Sequence, residues 1–193
     1  MKTLQVFFTL LPFSCFAQAD SSYANSRLQE LMLRPGSWVN VSTDTIGQAG
    51  NTDIGILTAY ELNTGEKQRA ICFTTGSVLG NLRFPAHSAQ VDVEDLGQLV
   101  KALEKMYQVV NEKGIVSVQK YHYVTPRMTV FSMENRPANP GHWDLQVYRR
   151  YKNFDLAVPG SALLVRERDL ETFVELLVRY QAWLGNDLYR KDQ

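Results

Sequence analysis

Asp95–Val110 reads DLGQLVKALEKMYQVV, and Asp169–Leu184 reads DLETFVELLVRYQAWL. Both stretches open with Asp-Leu, and each follows a short strand-like run, AQVDV at 89–93 and ALLVR at 162–166. Apolar residues fall at Leu96, Leu99, Val100, Leu103, Met106, Tyr107 and Val110 in the first stretch. The same spacings return at Leu170, Phe173, Val174, Leu177, Tyr180 and Leu184, with Gln181 the one break. This is the period of an amphipathic helix, repeated at one phase. It predicts two copies of a single supersecondary unit.

The sequence before each helix alternates like strands. Ser37–Ile46 is a β-branched alternating run, and Gly47–Thr52 reads as a polar loop. Ile54–Glu61 and Gln68–Thr75 flank Asn63-Thr64-Gly65-Glu66, the pattern of a hairpin turning at glycine. Ser77–Phe84 is read as a further short strand, 85–88 as loop and 89–93 as strand. In the second half, Asn111–Gly114 reads as a turn and Val116–Val124 as a strand. Thr125-Pro126-Arg127 makes a tight break, and Met128–Met133 returns. Glu134–His142, with Pro137, Pro140 and Gly141, is the richest loop. Trp143–Arg149, Phe154–Val158 and Ala162–Val165 are the remaining strands, and Gly185 is expected to end the second helix. Strands in runs, each closed by a helix, predict an α+β fold of two similar antiparallel-sheet-plus-helix repeats, arranged as a pseudo-twofold pair.

The ends set the boundaries. Lys2, the apolar run Leu4–Phe16 and the Ala17-Gln18-Ala19 site predict a secretory signal peptide over residues 1–19 and an exported protein, periplasmic or extracellular. Ser14-Cys15 lies near a lipidation site, but Pro12 stands where such a site requires leucine. Residues 20–36 form an N-terminal helical segment stopped by Arg34-Pro35-Gly36. Residues 37–113 are the first repeat and 114–193 the second. No transmembrane segment is expected after signal cleavage.

Formal net charge is zero, with 20 basic and 20 acidic residues. Removing the signal takes Lys2 and leaves a mature chain one charge negative. Such a balance gives no electrostatic reason to seek nucleic acid. Cys72 is the one cysteine left in the mature chain, so no internal disulfide staples the fold. It reads as a small buried apolar residue rather than as a nucleophile. His87, His122 and His142 lie far apart and match no metal-ligand spacing. No nucleophile elbow or phosphate loop is present, and Glu94-Asp95 and Glu167-Asp169 are explained by helix starts. No catalytic residue, metal or cofactor is expected.

The run VDVEDLGQLVKAL, then TPRMTV, then DLETFVELL, over roughly residues 37–184, resembles a group of uncharacterised exported bacterial proteins with a duplicated strands-plus-helix unit. That resemblance implies the fold and no activity. More distantly the repeat resembles the PUR and Whirly nucleic-acid-binding folds, but this chain lacks their basic composition.

The functional expectation is an exported, non-enzymatic binding protein for an unknown protein or small ligand. An exported hydrolase using Cys72 or a histidine is the alternative, with weak single-stranded nucleic-acid binding as a third reading. The candidate surface is Trp143, Tyr148, Arg149, Arg150 and Tyr151, because interleaved aromatic and basic residues can stack and pair. The competing reading of Trp143 is a core residue, alternating inward with Leu145 and Val147. That of the basic run is a sheet edge whose cations oppose aggregation.

Overall fold

The computed structural model describes residues 26–79, 82–112, 118–136, 139–149 and 162–191. Helix α1 (Arg27–Leu33) is followed by four strands, β1 (Val39–Ala49), β2 (Thr52–Glu61), β3 (Lys67–Leu79) and β4 (Leu82–Asp92). A 3-10 turn at Val93–Asp95 leads into α2 (Leu96–Val110). The second half supplies β5 (Lys120–Val124), β6 (Thr129–Arg136), β7 (Asn139–Arg149), β8 (Leu163–Arg166) and α3 (Glu167–Lys191). All pairings are antiparallel, and the sheets run β1-β2-β3-β4 and β5-β6-β7-β8. The fold is therefore α+β, built of two similar sheet-plus-helix units. The signal segment, Gly114, Phe154–Val158, Pro159-Gly160, Arg150 and Tyr151 lie outside the described residues.

One apolar core joins the two units. Ile54, Ile56, Ile71, Phe73 and Val91 on the first sheet meet Phe131, Met133, Trp143, Leu145, Val147 and Val165 on the second. Leu96, Leu99 and Leu103 of α2 and Leu170, Phe173 and Leu177 of α3 complete it. Phe73 is its hinge, edge-on to Phe131 at 5.7 Å and tilted against Phe173 at 5.4 Å. The two helices run antiparallel. Gly97, near the start of α2, approaches Gln181 late in α3, and Glu104 and Tyr107 share a groove with Val174 and Val178. Gln181, the break in the apolar repeat, thus lies against a glycine that leaves room for its amide.

Each helix also reaches the other unit. α3 packs on β7 and β8 of its own sheet and on β1 of the first, and α2 packs on β5. Glycine makes the approach of α3 to the first sheet possible. A Cβ on Gly47 would lie 2.8 Å from Leu176 Cδ2, and one on Gly50 would lie 2.2 Å from Asp169 Oδ2. Gly50 also has φ +57°, so it makes the β1–β2 turn and accepts the helix at once. Between the sheets, Thr129 Oγ1 donates to the Gln90 carbonyl at 2.8 Å and is fully buried.

Helix α1 covers the other face of the first sheet. Its N-cap Ser26 accepts from Gln29 N, and Leu28 and Leu31 are buried against Ala59 and Ala70. Burying two leucines contributes roughly 1.5–3 kcal/mol each. Arg27 N donates to Asp92 Oδ1 at 2.7 Å, and Arg127, in the β5–β6 turn, pairs with Glu30 and lies 3.8 Å from Asp92. Burial pushes the Asp92 carboxyl above its usual range, against the pull of Arg27 N–H and the Arg127 guanidinium.

Several boundaries differ from the sequence reading. The stretch 77–88 is not a short strand plus a loop; β3 and β4 form one long hairpin. Pro85 fits because β4 is an edge strand and the register shifts opposite it, between Thr75 and Gly76. The expected loop at 47–52 is a tight turn between β1 and β2, and in the expected loop at 134–142 residues 134–136 belong to β6 and 139–142 to β7. Pro140 is accommodated because β8 pairs only with Asp144–Val147, which leaves the start of β7 unpaired on that side. Gly185 does not end α3, which runs on to Lys191; a single glycine in a helix costs only about 1 kcal/mol. Asp95 occupies the N-cap position of α2 but makes no side-chain capping bond.

Candidate functional site: an aromatic platform on the first sheet

Of the expected surface at 143–151, the described residues Trp143, Tyr148 and Arg149 do not share one exposed face. Trp143 is 2% exposed and tilts against Tyr121 at 5.8 Å, so it is a core residue, in phase with Leu145 and Val147. Tyr148 pairs with Val130 and Arg149 with Thr129, so the two project from opposite faces of β7, and both are half-buried. Arg150 and Tyr151 lie outside the described residues.

Beside Trp143 an open hollow of about 800 Å³ is lined by His142, Asp144, Leu164, Arg166, Glu167 and Arg168. Glu167 Oε2 lies 3.0 Å from His142 Nδ1 and accepts from Trp143 N at 3.3 Å, tying β7 to the first turn of α3. Among the described residues no hydroxyl or thiol lines this hollow. The carboxylate serves to dock the helix on the strand.

Cys72 gains no histidine. It pairs with Gly55 and Gln90 on the α1-side face of the first sheet, whereas His87 pairs with Thr75 and falls on the opposite face. Its sulfur lies 3.4 Å from Thr74 Oγ1, and burial pushes the thiol up, away from thiolate reactivity. Among the described residues no group of three or more His, Cys, Asp or Glu could hold a metal ion, and no helix is long and apolar enough to cross a membrane.

The feature that sequence reasoning missed lies where the first sheet extends beyond the core. Along β2, Ile54 and Ile56 face the shared core, and Thr58 and Tyr60 continue the same face outward. Register puts Asn40, Tyr60 and Lys67 in one row across three strands, and Ser42, Thr58 and Arg69 in the next. At the end of the ladder Leu62 N donates to the Trp38 carbonyl at 2.8 Å. Trp38 is 71% exposed, Leu62 55% and Tyr60 43%. The side chains of Lys67 and Arg69 have no ion pair or hydrogen bond among the described residues.

Beneath this exposed end is a fixed polar scaffold. Glu61 is 2% exposed and accepts from Trp38 N at 3.3 Å, Asn63 Nδ2 at 3.0 Å and Thr64 N. Hydrogen bonds from Thr64 first, then from Asn63 and Trp38, pull its carboxyl down to about 2 against the opposing effect of burial. Gly65, at φ +74°, closes the turn by donating to the Glu61 carbonyl at 2.9 Å, and a Cβ there would lie 3.6 Å from the Tyr60 hydroxyl. Arg34 grips Glu66 with two hydrogen bonds, at 2.7 and 3.4 Å, and so ties the segment before Trp38 to the hairpin turn. The backbone that presents Trp38 is held from both sides.

The chain matches no family model, no curated protein and no solved structure.

Proposed function

We propose that this chain is an exported, non-enzymatic binding protein that meets its ligand with the outer end of the first sheet, on Trp38, Tyr60 and Leu62. The observation that carries this reading is a tryptophan left in solvent while a buried carboxylate fixes its backbone. Large exposed apolar side chains grouped on one face mark interaction sites. Trp and Tyr are the residue types that most often dominate binding energy. A rigid scaffold lowers the ordering cost of association, which is the gain from preorganisation. The Glu61 and Arg34–Glu66 contacts do little for the core and much for the position of Trp38. The hydrolase alternative has no such support, because Cys72 is paired with Thr74 and the hollow at His142 offers no nucleophile among the described residues. Export rests on residues 1–19 of the sequence.

The test uses mature protein, residues 20–193, against a panel of oligosaccharides, peptides and oligonucleotides. Trp38→Ala should weaken at least one binder about tenfold or more at unchanged thermal midpoint, the mark of a hot-spot residue. Trp183→Ala, which alters a half-exposed tryptophan stacked on Tyr180 in α3, should have no effect. Binding that is indifferent to Trp38→Ala for every member of the panel would overturn the reading. N-terminal sequencing of the exported protein should begin at Asp20, and an intact Met1 would overturn export.

A further inference from the structure

Resting on that reading, we infer that the platform takes an acidic oligosaccharide, a short chain of sugars bearing carboxylates. The inventory of the face leads there. Trp38 and Tyr60 offer flat apolar surfaces against which the C–H faces of sugar rings can lie. Asn40, Ser42 and Thr58 stand in the same two rows, and amides and hydroxyls both donate and accept, as sugar hydroxyls do. Lys67 and Arg69 flank these rows on β3 and have no protein partners among the described residues. Successive rows are about 7 Å apart, two residues of strand rise, so the two cations address separate points along an extended chain. Arg69 can hold a carboxylate through two parallel hydrogen bonds, and Lys67 acts as a point charge. Asp44, one row further at the β1 edge, ends the cationic stretch.

The other macromolecular classes fit less well. The core of a protein interface is depleted in lysine and other charged groups, whereas this face mixes three large apolar side chains with five polar or charged ones. Single-stranded nucleic acid stacks on aromatics too, but its affinity comes largely from many phosphate contacts. Two cations on a mature chain of net charge −1 provide few of these.

The experiment compares three probes on the mature protein: a short oligogalacturonate, its carboxyl-reduced neutral counterpart and a thymidine oligonucleotide. The oligogalacturonate should bind most tightly, and its affinity should fall with added salt because the cations are at the surface. Carboxyl reduction should weaken binding about tenfold or more, and Lys67→Gln with Arg69→Gln should cost the acidic probe a similar factor while sparing the neutral one. Trp38→Ala should weaken both sugars. Thermal midpoints of all variants serve as the check on folding, since none of these side chains is in the core. Equal binding of the acidic and neutral sugars, or indifference to the double cation variant, would overturn the acidic class. Tighter binding of the oligonucleotide with the same residue dependence would overturn the sugar in favour of nucleic acid. In each of these cases retained Trp38 dependence would leave the platform standing, whereas absence of Trp38 dependence for all three probes would remove both the ligand class and the platform.

Discussion

Replacing Gly50 with alanine would place a methyl carbon 2.2 Å from Asp169 Oδ2, inside any permitted contact. It would also force an L-residue into the left-handed conformation at φ +57°. The conformational part costs about 1–2 kcal/mol. The steric part requires Asp169 to swing away or α3 to lift off the β1–β2 turn, and overpacking of this kind costs about 1–3 kcal/mol. Together Gly50→Ala should lose about 2–5 kcal/mol. In a chain of 193 residues each kcal/mol lowers the thermal midpoint by about 2–4 °C. The informative comparison is the same substitution in an Asp169→Ala background. The clash is then gone and only the conformational part remains, so the two sites should couple by about 1–3 kcal/mol in urea titrations read by midpoint and slope. Additive costs would rule out the contact between Asp169 and the β1–β2 turn.

Leu103→Ala and Leu177→Ala, in equivalent buried positions of the two helices, should each cost about 2–5 kcal/mol in denaturant titration, from lost burial and the cavity left behind. A neutral variant would reject the shared core. Glu61 has its carboxyl lowered from 4.5 to about 2, so its contribution is fully present above pH 4.5 and is lost as pH falls through about 2. Glu61→Gln should therefore be less stable than the parent at neutral pH and show a flatter stability profile across that acid window, measured by thermal midpoint against pH. An identical slope in the two proteins would sink the assignment.

The parts of this fold that could be read from sequence are those governed by a local period. The two helix stripes needed only the spacing of Leu96–Val110 and Leu170–Leu184, and every core position read from them except Tyr107 and Val110 is buried, those two packing at its margin. The Asn63–Glu66 turn followed from glycine chemistry. Misread stretches were those where a local breaker met a tertiary accommodation: Pro85 on an edge strand beside a bulge, Pro140 beyond the reach of β8, and Gly185 within a helix that continues past it. The crosswise packing of helices on sheets has no sequence signature, because Gly47 and Gly50 explain themselves only once Leu176 and Asp169 are placed above them.

The proposed platform was hidden for a different reason. Trp143, the tryptophan in the richest-looking loop, drew attention, yet its alternation with Leu145 and Val147 already marked it as core. Trp38 carried the better signal. In SWVNVSTDTI the residues Val39, Val41, Thr43 and Thr45 share one face, and Trp38 shares phase with Asn40, Ser42 and Asp44 on the polar face. An aromatic on the polar side of an alternating strand is the pattern to look for. Its companions Tyr60, Lys67 and Arg69 come from strands whose register only the folded sheet reveals.

The most direct test of the platform is quenching of Trp38 emission by acrylamide. In a Trp183→Phe protein, Trp143 is buried and Trp38 is the accessible fluorophore. Free protein should be readily quenched, and saturating oligogalacturonate should sharply reduce the quenching constant while the thermal midpoint rises, as binding to the folded state requires. An unchanged quenching constant at ligand saturation would contradict the claim that Trp38 meets this ligand.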